Sequence, residues 1–224
     1  MPRCHLTTAR LLTIIATVAL LTTRAQAQTS VLTQHNDNAR TGANTGEIIL
    51  TPSNVAGGNF GKIFTRTLDA SVAGQVLYVP HLTVNGAVHN VIVAYTSNNS
   101  DNAPCSLYAF DADDPAQASP LWRHQFPNGA RWTTAAPVID VATNTVYALT
   151  KDTDDNGTTR LRAVDLLTGT ERAGSPVTIA ATVSGTGDGS TNGQVSFDTT
   201  HANGRPALLF ACVVSKLKIG RAHV

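Results

Sequence analysis

Residues 91–97 read VIVAYTS and residues 145–151 read TVYALTK; shortly after them, residues 106–111 read SLYAFD and residues 160–165 read RLRAVD. Both pairs stand 54 positions apart, since 91 answers 145 and 107 answers 161. Leu107 corresponds to Leu161, Ala109 to Ala163 and Asp111 to Asp165, with no gap. A constant step met twice marks an internal repeat, and it decides the fold class before any element is named.

Each member of the unit reads as a strand. Residues 91–96 and 145–150 are β-branched and aromatic, and polar turn residues follow them. Asn156-Gly157 supplies the second unit's hairpin turn, because both residues tolerate positive φ. A first strand precedes each pair, at 74–80 (GQVLYVP) and 136–140 (APVID). A fourth follows at 121–126 (LWRHQF) and 177–181. Beyond the first residues no stretch shows helical periodicity, and charged residues are sparse at 14%. The expected fold is all-β: a partial, unclosed β-propeller of about three four-stranded antiparallel blades. The blades fall at about 74–126, 134–181 and 196–217, the last opening with RPALLF (205–210). A two-sheet sandwich is the rival architecture, but it does not require strands that recur at a fixed offset.

The ends carry separate signals. Arg3 and Arg10 precede an apolar run, LLTIIATVALL (11–21), and Ala25-Gln26-Ala27 is a small-x-small cleavage site. Residues 1–27 therefore read as a Sec-type signal peptide cleaved after Ala27, which places the protein in the periplasm or outside the cell. The run is too short to span a bilayer, and Cys4 precedes it, so no lipid anchor is expected. Residues 219–224 (IGRAHV) resemble the in-frame translation of a common sequencing-library adapter. Residues 218–224 are therefore expected to be a non-native tail. Between the ends lie a lead-in at 28–59 and the incomplete propeller at 60–217. That stretch from 28 holds about three and a half units of 54, fewer than the roughly four to eight blades that close a ring. The missing C-terminal blades are then the first expected partner, and the strand at 60–68 (FGKIFTRTL) is placed to complete one of them.

The whole chain has 16 basic and 15 acidic residues. Setting aside Arg3, Arg10, Arg24, Lys218 and Arg221 leaves 11 against 15, about −4. Such a charge gives no footprint for nucleic acid or for an anionic lipid surface. Only Cys105 and Cys212 remain as thiols, too few for a disulfide framework.

The repeat units also carry a motif. Ala109-Phe110-Asp111-Ala112 with Leu121-Trp122, and Ala163-Val164-Asp165-Leu166-Leu167-Thr168-Gly169, look like the A-x-D-x-x-T-G-x-x-x-W docking pattern of PQQ-type β-propellers. The segments at 34–44 (QHNDNARTGAN) and 60–64 (FGKIF) also resemble the lead-in of exported bacterial proteins with this repeat. The resemblance covers most of 31–215. It implies that Asp111, Asp165 and Thr168 stitch a strand end to its turn, and that Trp122 packs between adjacent blades. The match is partial. The first unit has DDPAQASP (113–120) where Thr-Gly would stand, and the second has no tryptophan.

Asp152-x-Asp154-x-Asn156-Gly157 begins as a calcium loop does, with oxygen ligands at alternate positions before a glycine. Arg160 and Ala163 then stand where such a loop needs its ninth and twelfth ligands, so a polar hairpin tip is the favoured reading. The glycine-rich run at 185–190 lacks the lysine and helix of a phosphate cradle and reads as an inter-blade loop. The histidines show no metal spacing, and there is no G-x-S-x-G elbow. A quinoprotein dehydrogenase would hold PQQ and calcium and often a vicinal disulfide; no Cys-Cys pair is present, and no PQQ ligand maps onto this chain. The expected function is an exported, non-catalytic binding or scaffold module for a protein or carbohydrate ligand, with no cofactor. The alternative is a PQQ-dependent alcohol or sugar dehydrogenase whose site residues lie in other blades. A third reading, an envelope-assembly scaffold of the same blade type, lacks the lipobox cysteine.

Overall fold

The structure is a computed structural model that describes residues 29–58, 60–97, 105–127, 133–152, 157–202 and 204–211. The signal segment, Cys212, the tail at 218–224 and the turn residues Asp154 and Asn156 lie outside the described residues. Among the described residues, no helix is long and apolar enough to cross a membrane.

The chain is nearly all-β. Strands β1 (Leu77–Val84), β2 (Ala87–Tyr95), β3 (Cys105–Asp111) and β4 (Trp122–Phe126) form one antiparallel sheet in chain order. Strands β5 (Val138–Asp140), β6 (Thr145–Lys151), β7 (Thr159–Asp165) and β8 (Val177–Thr178) form a second with the same order. The two sheets stack and do not close into a barrel. Their central ladders match residue for residue. Leu107 lies opposite Tyr95, and Leu161 opposite Leu149. Ala109 faces Val93 as Ala163 faces Tyr147, and Asp111 faces Val91 as Asp165 faces Thr145. The 54-residue step in sequence is thus a step from sheet to sheet.

Side chains alternate across a strand, so every second residue shares a face. In the first sheet Leu77, Val79, Val91, Val93, Tyr95, Leu107, Ala109, Trp122 and Phe126 pack into one apolar cluster with Ile139, Val146, Ala148, Val164 and Leu166 of the second. Strand β3 is buried along its whole length, as a strand covered on both faces must be. Its other face lies under the segment at 69–73, which bridges Val72 to Thr96 and places Asp69 against Thr96 and Ser106. Leu107 and Leu161 hold the same ladder position but differ in burial. Leu107 sits between the sheets and is fully buried, whereas Leu161 is half-buried. The face that Leu161 shares lies against the C-terminal segment, where Phe210 stacks on Tyr147 and Leu208 N–H donates to Ala136 O.

Turns follow local chemistry. Asn85 and Gly86 join β1 to β2 with φ of 52° and 83°, the paired positive values that a two-residue hairpin turn demands. Lys151 pairs with Thr159, and Asp152 N–H donates to Thr158 O, so the second unit's β6–β7 hairpin stays paired up to those residues.

Three expectations differ from the structure. Residues 60–68 carry strand-like alternation but find no neighbouring strand and run irregularly. Residues 205–210 cross the second sheet without forming a strand. The glycine-rich run at 185–190 is the tip of a separate two-stranded hairpin, β9 (Thr182–Ser184) with β10 (Gln194–Ser196), not a connection between sheets. Among the described residues the one helix is short, α1 (Pro52–Ala56); it is capped by Thr51 and buries nothing.

Candidate functional site

Of the motif residues, Ala109, Trp122 and Gly169 lie where the two sheets meet. Asp165, at the end of β7, accepts at Oδ1 from the N–H of Leu167 (2.9 Å) and of Thr168 (3.0 Å) and from Thr168 Oγ1 (3.2 Å). Asp111 accepts in the same way from the N–H of Asp113 (2.7 Å) and Asp114 (3.0 Å). Carboxylates at strand ends satisfy backbone donors that the following turn leaves unpaired. Trp122, on β4, donates its Nε1 proton to Leu166 O in the second sheet at 2.9 Å. Gly169 adopts φ of +72°, and a Cβ there would lie 2.7 Å from the Trp122 ring. Only glycine meets both demands. Ala109 is fully buried opposite Trp122, while Ala163 is half-buried and donates its N–H to Ser175 Oγ.

The two units diverge at one end, and a cleft lies there. Leu77 pairs with Val93, whereas Val138 pairs with Tyr147, so the first hairpin is seven residues longer than the second. The extra residues overhang the turn after β3 and wall a cleft of about 420 Å³ lined by His81, His89, Asn90, Asp111, Asp113 and Asp114, with Val88 and Pro115. Asp111 Oδ2 meets His89 Nδ1 at 2.6 Å, and Asn90 Nδ2 donates to Asp113 at 2.6 Å. Burial pushes the Asp111 carboxyl up, but the hydrogen bonds from His89 and from the N–H of Asp113 and Asp114 outweigh it and hold the group below its ordinary value. In the second sheet the corresponding oxygen of Asp165 meets Arg172 Nη2 at 2.9 Å. The substitution of an imidazole for a guanidinium is particular to the cleft. Its carboxylates, amide and imidazoles can exchange hydrogen bonds with a hydroxyl-rich ligand.

A second polar cluster is buried in the seam. Arg162, 2% exposed, donates from Nε to Thr150 Oγ1 (2.9 Å), from Nη2 to Asp152 Oδ2 (2.6 Å) and from Nη1 to Glu171 (3.0 and 3.3 Å). Its guanidinium carbon lies 5.1 Å from the centre of the Phe126 ring in the first sheet. Arg160 also donates to Asp152 Oδ2. Two guanidiniums therefore already serve the Asp152 carboxylate, the one residue of the calcium-loop pattern's acidic pair that is described. Asp152 Oδ1 is buried without a hydrogen-bond partner. Among the described residues no group of three or more histidine, cysteine, aspartate or glutamate side chains is arranged to hold a metal ion. Sequence reasoning passed over Arg162; the available signal was that Arg160, Arg162 and Val164 share one face of a strand whose neighbours are apolar.

Compared with protein-family profiles, with curated proteins and with solved structures, the chain matches none.

Proposed function

We propose that the chain is an exported β-blade repeat module of the PQQ-propeller type, and that it binds or scaffolds a protein or carbohydrate partner. The observation that carries this reading is the seam: Trp122, Leu166, Gly169 and the Asp165 turn are spent on joining one sheet to the next. Residues in such roles build a scaffold, and function on a repeat scaffold sits where the repeat is broken. The cleft beneath the long β1–β2 hairpin is such a place. Its polar lining favours a hydroxyl-rich ligand held by several hydrogen bonds.

The test is a titration of the chain with neutral oligosaccharides, followed by NMR shifts of the β1–β2 hairpin and the 111–115 turn. Saturable shifts there, abolished by Asp113→Ala, are expected. Absence of any saccharide-dependent shift removes the cleft as a carbohydrate site. Adding PQQ and calcium and assaying dye reduction with an alcohol tests the dehydrogenase alternative; cofactor-dependent reduction would overturn the non-catalytic reading.

A further inference from the structure

We propose that the seam between the two sheets is acid-labile and that His124 is its trigger. His124 projects from β4, opposite Leu107, and stands edge-on to Phe126 with ring centres 4.8 Å apart. The backbone of Gly169, in the second sheet, lies beside the ring and favours its protonated form. Nε2 is buried and has no hydrogen-bond partner. That nitrogen faces Glu171 Oε2 at 3.8 Å, beyond hydrogen-bond reach.

Glu171 is not free to close that gap. Arg162 Nη1 holds both its oxygens, and Ser175 Oγ donates to Oε1 at 2.8 Å. The charged groups facing His124 are therefore Glu171, from the segment after β7, and Arg162, from β7 itself. Through its other nitrogens Arg162 is tied to Asp152, which also takes Arg160. Protonating the ring puts a second cation beside Arg162 in a half-buried seam. It also creates a donor that reaches Glu171 only if the carboxylate leaves Arg162 or the sheets shift. Either movement disturbs the Thr168-Gly169 turn on which Trp122 rests.

The balance of these effects sets the direction. Burial is the largest influence and lowers the ring's pKa; Glu171 and the Gly169 backbone raise it, Arg162 lowers it, and the net displacement is downward from the ordinary 6.5. The unfolded chain takes the proton first as pH falls. Stability from the neutral ring is thus fully present above about 6.5 and is lost as pH drops through the lower folded-state value.

The test uses the full chain with Trp132→Phe, leaving Trp122 as its one indole. Between pH 7.5 and pH 5, Trp122 emission is expected to shift red and become open to a neutral quencher, reversibly, and His124→Gln is expected to abolish that transition. In the protein with native His124, the imidazole resonance should titrate below 6.5, and Glu171→Gln should move titration and fluorescence transition together to still lower pH. A Trp122 signal unchanged down to pH 5 would overturn the proposal. So would a transition that persists in His124→Gln, a His124 titration at or above 6.5, or one that Glu171→Gln leaves in place.

Discussion

Trp122 and Gly169 touch so closely that the glycine has no room for a side chain: a Cβ there would meet the indole at 2.7 Å. One residue belongs to the edge strand of the first sheet and the other to the turn that ends the second sheet's third strand. Their contact, with the Trp122–Leu166 hydrogen bond beside it, fixes how one sheet sits on its neighbour.

Gly169→Ala is therefore expected to destabilise the chain by about 2–4 kcal/mol, from overpacking against the ring together with a strained positive φ. Urea unfolding followed by tryptophan fluorescence measures it. In Trp122→Leu the clash is relieved, so the added cost of Gly169→Ala should shrink to the backbone part alone.

The Arg162 cluster makes a second prediction. Arg162→Met leaves Asp152 and Glu171 in the seam without their shared cation and is expected to cost about 3–5 kcal/mol. Arg162→Met combined with Asp152→Asn should recover part of that loss, because the buried carboxylate left with only one of its two guanidinium partners is gone. A double variant no more stable than Arg162→Met in urea unfolding would show that Asp152 is solvated by other means.

The repeat and the fold class were legible because they rest on local patterns. Alternating apolar residues mark β2, β3, β6 and β7, and the gapless step from Leu107 to Leu161 carries the register with it. The turn role of Asp165 was equally legible, since its partners Leu167 and Thr168 are two and three residues away. What could not be read depends on distant partners. Arg162 looks like a surface charge until Asp152 and Glu171 close on it from either side. The β9–β10 hairpin was missed because each strand holds a single valine among serine, threonine and glutamine. Residues 60–68 misled in the opposite sense: alternation proposes a strand, but pairing needs a neighbour with open hydrogen-bonding groups. The cleft appears only once the registers of the two hairpins are compared.

The two aspartate turns should respond alike. Asp111→Ala and Asp165→Ala each remove a carboxylate that caps two backbone N–H groups, and each is expected to cost about 1–3 kcal/mol. Thermal melts of the two variants check it. A large effect at one and none at the other would show that the turns are not equivalent.

Acid stability should depend on Asp69. Burial raises its carboxyl, but hydrogen bonds from Ser106, Thr96 and Arg123 outweigh that and lower it from the ordinary value. A carboxylate with a depressed folded-state pKa stabilises above its unfolded value of about 3.9, and the contribution is lost as pH falls through the folded value. Melting temperatures between pH 6 and pH 3 should thus fall less steeply in Asp69→Asn than in the native chain.

The claim that the sheets are successive copies of one unit is tested most directly by cross-strand backbone contacts in a solution NMR spectrum of the chain. The account predicts contacts between Tyr95 and Leu107 and between Leu149 and Leu161, with Trp122 Hε1 close to Leu166. A second sheet shifted by even one residue from the first, or a Trp122 indole remote from Leu166, would contradict it.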